Sequence, residues 1–276
     1  MLKKKKIALS LGVVITGGSK GLGYALASAF LSNGDRVVIC SRNLQRLEDA
    51  LYTLRLAVPE GKIYGIVCDV GDPSSGRILA DFAVSRLGRV DRWINNAGTA
   101  GQLKRPLWEL YPEDILETCT TNLSGTIMMC AEAIRVMERQ PSSIKPRYHI
   151  FNMGFSFIGA ALSRSAVPHK ASKRGVAELT NFLYRELKVS GITSIGVHEL
   201  SPGLLHTGLL LQDASEEAKR LFELIAENPE TVSSVLVQKI RSITGSNTRI
   251  RYQPLVVMFF RIAKRYFPFF CKKKAL

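Results

Sequence analysis

The stretch Thr16-Gly17-Gly18-Ser19-Lys20-Gly21-Leu22-Gly23 decides the fold. An apolar run, residues 7–16, leads into it, and a helical run, residues 22–33, follows. Glycines at the end of a strand let the chain turn sharply and bring its backbone close to a bulky anion. The helix behind them presents unpaired N–H groups and the positive end of its dipole to the same anion. The spacing, Gly17-x-x-x-Gly21-x-Gly23, differs from the commoner GxGxxG. It is the strand–turn–helix setting that makes this a pyrophosphate-binding turn. Gly17, Ser19, Lys20, Gly21, Leu22 and Gly23 are therefore candidate phosphate contacts.

Working outward, apolar strands at residues 36–40, 62–68, 91–95, 147–152 and 193–199 alternate with helical segments. Those helices are expected at residues 44–56, 73–87 (with Pro73 in the first turn), 112–140 and 167–190. Such alternation predicts an α/β fold, a Rossmann-like doubly wound parallel sheet with helices on both faces. After Pro202 the pattern changes. Residues 215–225 and 230–240 read as helices and residues 248–253 as a seventh strand. There is no internal repeat and no low-complexity linker, so the 276 residues read as a single dinucleotide-binding domain.

The net charge of +15 favours an anionic partner: a dinucleotide, a nucleic acid or an acidic membrane surface. Nucleic acid is the weakest of these, because none of the usual binding modules is present. Five cysteines (Cys40, Cys68, Cys119, Cys130, Cys271) show neither a CxxC pair nor metal-ligand spacing. They read as free thiols in a reducing compartment, and no metal site is expected. Lys3 to Lys6 and the apolar run behind them mimic a secretory signal, but that run continues into the glycine turn and reads as a strand. No run reaches the ~18 apolar residues of a spanning helix.

After the second strand, NAD-binding sites place an acid to hold the ribose 2′-hydroxyl. Here the chain reads Cys40-Ser41-Arg42. Arg42 and Lys20 are instead suited to pairing a 2′-phosphate, so NADPH is expected over NADH.

Further motifs follow in order: Asp69-Val70, Asn95-Asn96-Ala97-Gly98, Thr121-Asn122-Leu123-Ser124-Gly125, and Pro202-Gly203 with Thr207 beyond. Together with the glycine turn they resemble the short-chain dehydrogenase/reductase family over about the first 210 residues. The resemblance implies a sheet of about seven strands. It implies adenine contacts at Asp69 and Val70, and a cofactor wall at Asn96, Ala97 and Gly98. Pro202, Gly203 and Thr207 would lie near the nicotinamide. It also implies subunit pairing through the long helices, as a homo- or hetero-oligomer. Gly34-Asp35-Arg36-Val37-Val38, Ser41-Arg42, Ile150-Phe151-Asn152-Met153, Ser201-Pro202-Gly203 and Leu209-Leu210-Leu211 further resemble the chlorophyll b reductases of the non-yellow-coloring type. Those enzymes use NADPH to reduce a formyl group to a hydroxymethyl.

The active-site segment departs from the family's Tyr-x-x-x-Lys. It reads His169-Lys170-Ala171-Ser172-Lys173. An i, i+4 spacing puts His169 and Lys173 on one helix face. By the resemblance, Lys173 also binds the cofactor ribose and Asn122 holds a proton-relay water. Ser156, thirteen residues before His169, polarises the carbonyl, with Ser163 and Ser165 as fallbacks. Imidazole is a competent acid near neutrality, but a neighbouring ammonium disfavours its charged form.

From Lys239 to the end there are ten Lys or Arg residues and no Asp or Glu. In residues 254–276 Phe and Tyr interleave with the cations, which suits an interfacial position on an anionic bilayer as well as a packing helix with a solvated end. Three functional readings result. The first is an NADPH-dependent reductase of a large apolar carbonyl substrate, chlorophyll b foremost. The second is a reductase of another lipid-like ketone of steroid, sphinganine or acyl type. The third is a catalytically impaired NADPH-binding partner protein. The resemblance places the chain in the chloroplast, associated with the thylakoid or an equivalent photosynthetic membrane; a peripheral cytoplasmic protein is the alternative.

Overall fold

A computed structural model describes residues 9–102, 104–154, 165–203, 205 and 227–252. Among these residues seven strands form one sheet: β1 (Gly12–Thr16), β2 (Arg36–Ser41), β3 (Ile63–Val67), β4 (Arg92–Asn95), β5 (Tyr148–Met153), β6 (Ile195–Ser201) and β7 (Arg249–Arg251). The order is β3-β2-β1-β4-β5-β6-β7, and every pairing is parallel. The direction of winding reverses between β1 and β4. In open parallel sheets that reversal opens a crevice beyond the carboxyl ends of the strands.

The inner strands β1, β2, β4, β5 and β6 bury both faces. Val13, Ile15, Val37 and Ile39 enter one core with α1 (Gly21–Ser32), α2 (Leu44–Ala57) and a later helix at Pro229–Ser242. Val14, Val38 and Cys40 enter the other, with α3 (Ser75–Leu87) and a helix at Gly125–Glu138. Alternation of side chains along a strand produces this division, and helices on both faces explain the near-continuous apolar runs. Asn43 caps α2 by accepting from the Arg46 N–H at 2.8 Å. At α3 the structure corrects the expected start: Pro73 lies in the preceding turn, and Asp72 Oδ1 there accepts from the Ser74 N–H at 2.8 Å.

The helix expected over residues 112–140 is interrupted. It is α4 (Pro112–Cys119), a π turn at Thr120–Ser124, and α5 (Gly125–Glu138). A π turn inserts one extra residue and redirects its side chain. Here Asn122 is turned inward and is fully buried. Among the described residues the remaining α-helices are α6 (Val167–Val189) and α7 (Pro229–Ser242). The residues expected to form a helix at 215–225 lie outside the described part, as do the tail at 254–276 and Cys271.

At the amino-terminal edge of the sheet a polar cluster is buried. Arg92 donates to the carbonyls of Asp91, Arg147, Ile240 and Arg241 at 2.9–3.3 Å, which ties the end of α7 to the sheet. Beside it the rings of His149 and His198 share a hydrogen bond of 2.9 Å. Burial, with Arg92 nearby, lowers His149 to about 2 and His198 to about 4. Both rings are thus neutral at physiological pH.

Candidate active site and cofactor cradle

The glycine turn lies where β1 ends, at the crevice. Gly17 has φ +66, a region favourable to glycine, and its Cα abuts the loop after β4. A Cβ at Gly17 would come within 2.9 Å of Ala97 Cα. At Gly23 a Cβ would meet the Gly17 carbonyl at 2.3 Å and Asn96 Nδ2 at 2.5 Å. Thr16 and Asn96 tie the turn to the β4 loop. Thr16 Oγ1 accepts from the Asn96 and Ala97 N–H groups at 3.1 and 3.0 Å, and Asn96 Nδ2 donates to the Thr16 and Gly17 carbonyls at 2.9 and 3.1 Å. The first turn of α1 carries no acid, and its N-cap residue Lys20 makes no side-chain capping bond. The helix therefore presents N–H groups to an anion. A dinucleotide pyrophosphate fits this cradle, because any side chain at Gly17 or Gly23 would crowd it.

Around the cradle, Ser19 Oγ donates to Ser41 Oγ at 3.0 Å, and Lys20 is exposed. Leu22 and Val70 are buried. Asp69 is exposed and accepts from the Gly71 N–H at 2.9 Å. Arg42 is ion-paired: its guanidinium lies 2.8 Å from Glu117 on α4. Gln102 Nε2 donates to the other oxygen of that carboxylate at 3.2 Å. Arg42 first and Gln102 second hold the Glu117 carboxyl below the usual range. Nothing local in the sequence marks Glu117, because it stands 75 residues from Arg42.

The second group of candidates converges on Gly98. A Cβ there would lie 2.9 Å from Asn122 Oδ1 and 3.2 Å from Lys173 Nζ. Both protons of the Asn122 amide are used, donating to the Thr99 carbonyl at 2.8 Å and Ser172 Oγ at 3.2 Å. Its oxygen accepts from the Thr99 N–H at 2.8 Å. The carboxamide thus clamps the β4 loop to α6, and the π turn is what aims it there. The Asn122 carbonyl, in turn, accepts from Thr126 Oγ1 at 2.7 Å.

His169, Ser172, Lys173, Val176, Ala177 and Thr180 form the buried face of α6. His169 is 3% exposed and Lys173 8%. Burial lowers Lys173 to about 8. Burial first, and then Lys173, lower His169 to about 4. At neutral pH the helix face therefore carries an ammonium at Lys173 and an uncharged imidazole at His169. Ser165 is buried just before α6. Pro202 and Gly203 follow β6, at the carboxyl end of the sheet. Ser156, Ser163 and Thr207 lie outside the described residues.

Behind this face is a buried network that the sequence pattern did not single out. Asn95 Nδ2 donates to Asn152 Oδ1 at 2.8 Å, and Asn152 Nδ2 to Thr180 Oγ1 at 3.1 Å. It locks α6 to β4 and β5. Asparagine at the ends of two otherwise apolar strands is the signal the sequence offers for it.

A family model described as short chain dehydrogenase matches residues 12–218. The chain belongs to the short-chain dehydrogenase family. Within the family it is similar to the chloroplastic chlorophyll(ide) b reductase NOL of Oryza sativa subsp. japonica, 39% identical over 92% of this chain and 72% of that protein. The corresponding Arabidopsis thaliana protein is 36% identical over 98% of this chain and 76% of its own length. Among solved structures, an actinorhodin polyketide ketoreductase variant with NADPH covers 88% of this chain and 96% of its own, with a TM-score of 0.71 and 25% identity. A short-chain dehydrogenase/reductase from Burkholderia phymatum in complex with NAD covers 95% of each chain at a TM-score of 0.74 and 22% identity. The short-chain dehydrogenase fold accounts for the position of the cradle and of the α6 face, and membership makes the chain a member of an oxidoreductase family. His169 stands at the position where the resemblance led a tyrosine to be expected.

Proposed function

We propose that this short-chain dehydrogenase is an NADPH-dependent reductase that converts the formyl group of chlorophyll(ide) b, or of a close relative, to a hydroxymethyl. The observation that carries the proposal is the identity of 39% over 92% of the chain with a protein named for that reaction. The names of both relatives also support a chloroplast setting. NADPH supplies the hydride when bound. The glycine turn, Ser19 and the start of α1 hold the pyrophosphate. Asp69 and Val70 border the adenine, while Asn96, Ala97 and Gly98 form the wall beside it. Pro202, Gly203 and Thr207 border the nicotinamide. Preference for the 2′-phosphate is assigned to Arg42 and Lys20, since the segment after β2 carries no acid.

Lys173 holds the ribose hydroxyls and keeps the site cationic. His169, almost wholly uncharged at pH 7 because its ring is lowered to about 4, hydrogen-bonds the carbonyl oxygen through its N–H and passes a proton to it as its other nitrogen takes one from the Lys173 ammonium, so that no imidazolate forms. Ser156 polarises the carbonyl. Asn122 holds the β4 loop against α6 and so positions Lys173. That same neutrality of His169 favours a second reading, a protein that binds NADPH but transfers the proton poorly and serves as a partner of an active reductase. Anaerobic incubation of the chain with NADPH and chlorophyll b, followed by pigment chromatography, separates the two. Accumulation of the hydroxymethyl product supports the enzyme. NADPH binding with no product leaves the partner role.

A further inference from the structure

We infer that Glu117 is a specificity-determining residue, which holds Arg42 away from the cofactor's 2′-phosphate and so weakens NADPH binding in a controlled way. The inference rests on the NADPH reading above. Arg42 follows β2, whereas Glu117 and its second partner Gln102 both lie after β4. In the sheet β2 and β4 flank β1. The Arg42–Glu117 bridge of 2.8 Å therefore spans the crevice above the end of β1, where the winding reverses. A dinucleotide in this type of fold occupies that crevice.

The acid is anchored on its own side. Gln102 Nε2 donates to its free oxygen at 3.2 Å, and the Gln102 N–H is itself held by Asp114 Oδ1 at 2.7 Å. Arg42 is the more exposed partner, with a side chain 56% exposed against 32% for Glu117. An exposed ion pair is weak, amounting to a factor of about five at most in an equilibrium. A phosphate dianion offers a guanidinium a stronger, bidentate partner. Arg42 must leave Glu117 to take it, and the carboxylate left behind repels the incoming charge. For NADH no such exchange arises, because there is no 2′-phosphate to pull Arg42 across.

The test measures dissociation constants for NADPH and NADH by nicotinamide fluorescence, with the full chain as wild type, Glu117→Gln, Arg42→Ala and the double variant. Glutamine keeps the shape and the Gln102 contact while removing the charge. Circular dichroism checks that each variant is folded. Glu117→Gln is expected to tighten NADPH about three- to tenfold, to leave NADH within about twofold, and to tighten NADPH distinctly less once Arg42 is gone, where only the carboxylate's repulsion of the 2′-phosphate is lost. Unchanged or weaker NADPH binding in Glu117→Gln, with the NADPH preference still abolished by Arg42→Ala, would overturn the inference alone. If Arg42→Ala leaves the NADPH-to-NADH ratio unaltered, Arg42 does not bind the 2′-phosphate and the inference falls; if the wild type binds NADH as tightly as NADPH, the NADPH reading itself fails.

Discussion

Replacing His169 by tyrosine restores the family's proton donor at a position whose surroundings are already built for it. The magnitude follows from the site. With His169 lowered to about 4, roughly one ring in a thousand is protonated at pH 7. An imidazolium donor would therefore make turnover rise about tenfold for each pH unit between 7 and 4. A neutral ring donating its N–H gives a flat profile over that range, and the flat profile is what we expect. A phenol beside Lys173 is a far better acid than a neutral imidazole, since the ammonium lowers its pKa towards neutrality. General acid catalysis contributes about 10²–10⁴-fold, so a gain in kcat of at least about 10²-fold is expected for His169→Tyr. The assay is single-turnover reduction of chlorophyll b at saturating NADPH from pH 5 to 9. The NADPH dissociation constant is measured in parallel, so that a packing defect at a residue only 3% exposed is recognised. An equal or lower rate in His169→Tyr, with NADPH binding intact, would refute the reasoning that proton donation limits this site.

Three further outcomes are expected. Gly23→Ala places a methyl 2.3 Å from the Gly17 carbonyl; the cradle must open, and NADPH binding should weaken at least tenfold by fluorescence titration, with a stability loss of about 1–3 kcal/mol. His149 and His198 lie well below the ordinary histidine pKa of about 6.5. The unfolded chain therefore binds more protons, so stability is greatest above pH 6.5 and falls as the pH drops towards 4. Each ring contributes a loss of about 2 kcal/mol at pH 5, so urea midpoints at pH 7.5 and 5 that coincide would contradict it. Finally, if residues 254–276 bind an anionic bilayer, the full chain floats with anionic liposomes in a density gradient and a chain ending at Gln253 does not; equal recovery of the two removes the membrane proposal.

Much of this protein is legible in its amino-acid sequence. Strand alternation separates Val13 and Ile15 from Val14, and the glycine turn marks the crevice. The four-residue spacing puts His169 and Lys173 on one face of α6. All of these are short-range: they depend on backbone sterics, apolar periodicity and residues within a turn of each other. The tertiary structure alone decided the rest. It paired Glu117 with Arg42 and clamped Asn122 to Thr99 through a π turn. It buried Arg92 against the end of α7, 148 residues away. Such contacts depend on which strands become neighbours and on how closely two segments pack, and no local pattern of residues encodes either. His169 belongs to both accounts. Its identity and its departure from tyrosine stand in the sequence, but its neutrality at pH 7 comes from burial beside Lys173, which only the packed fold imposes.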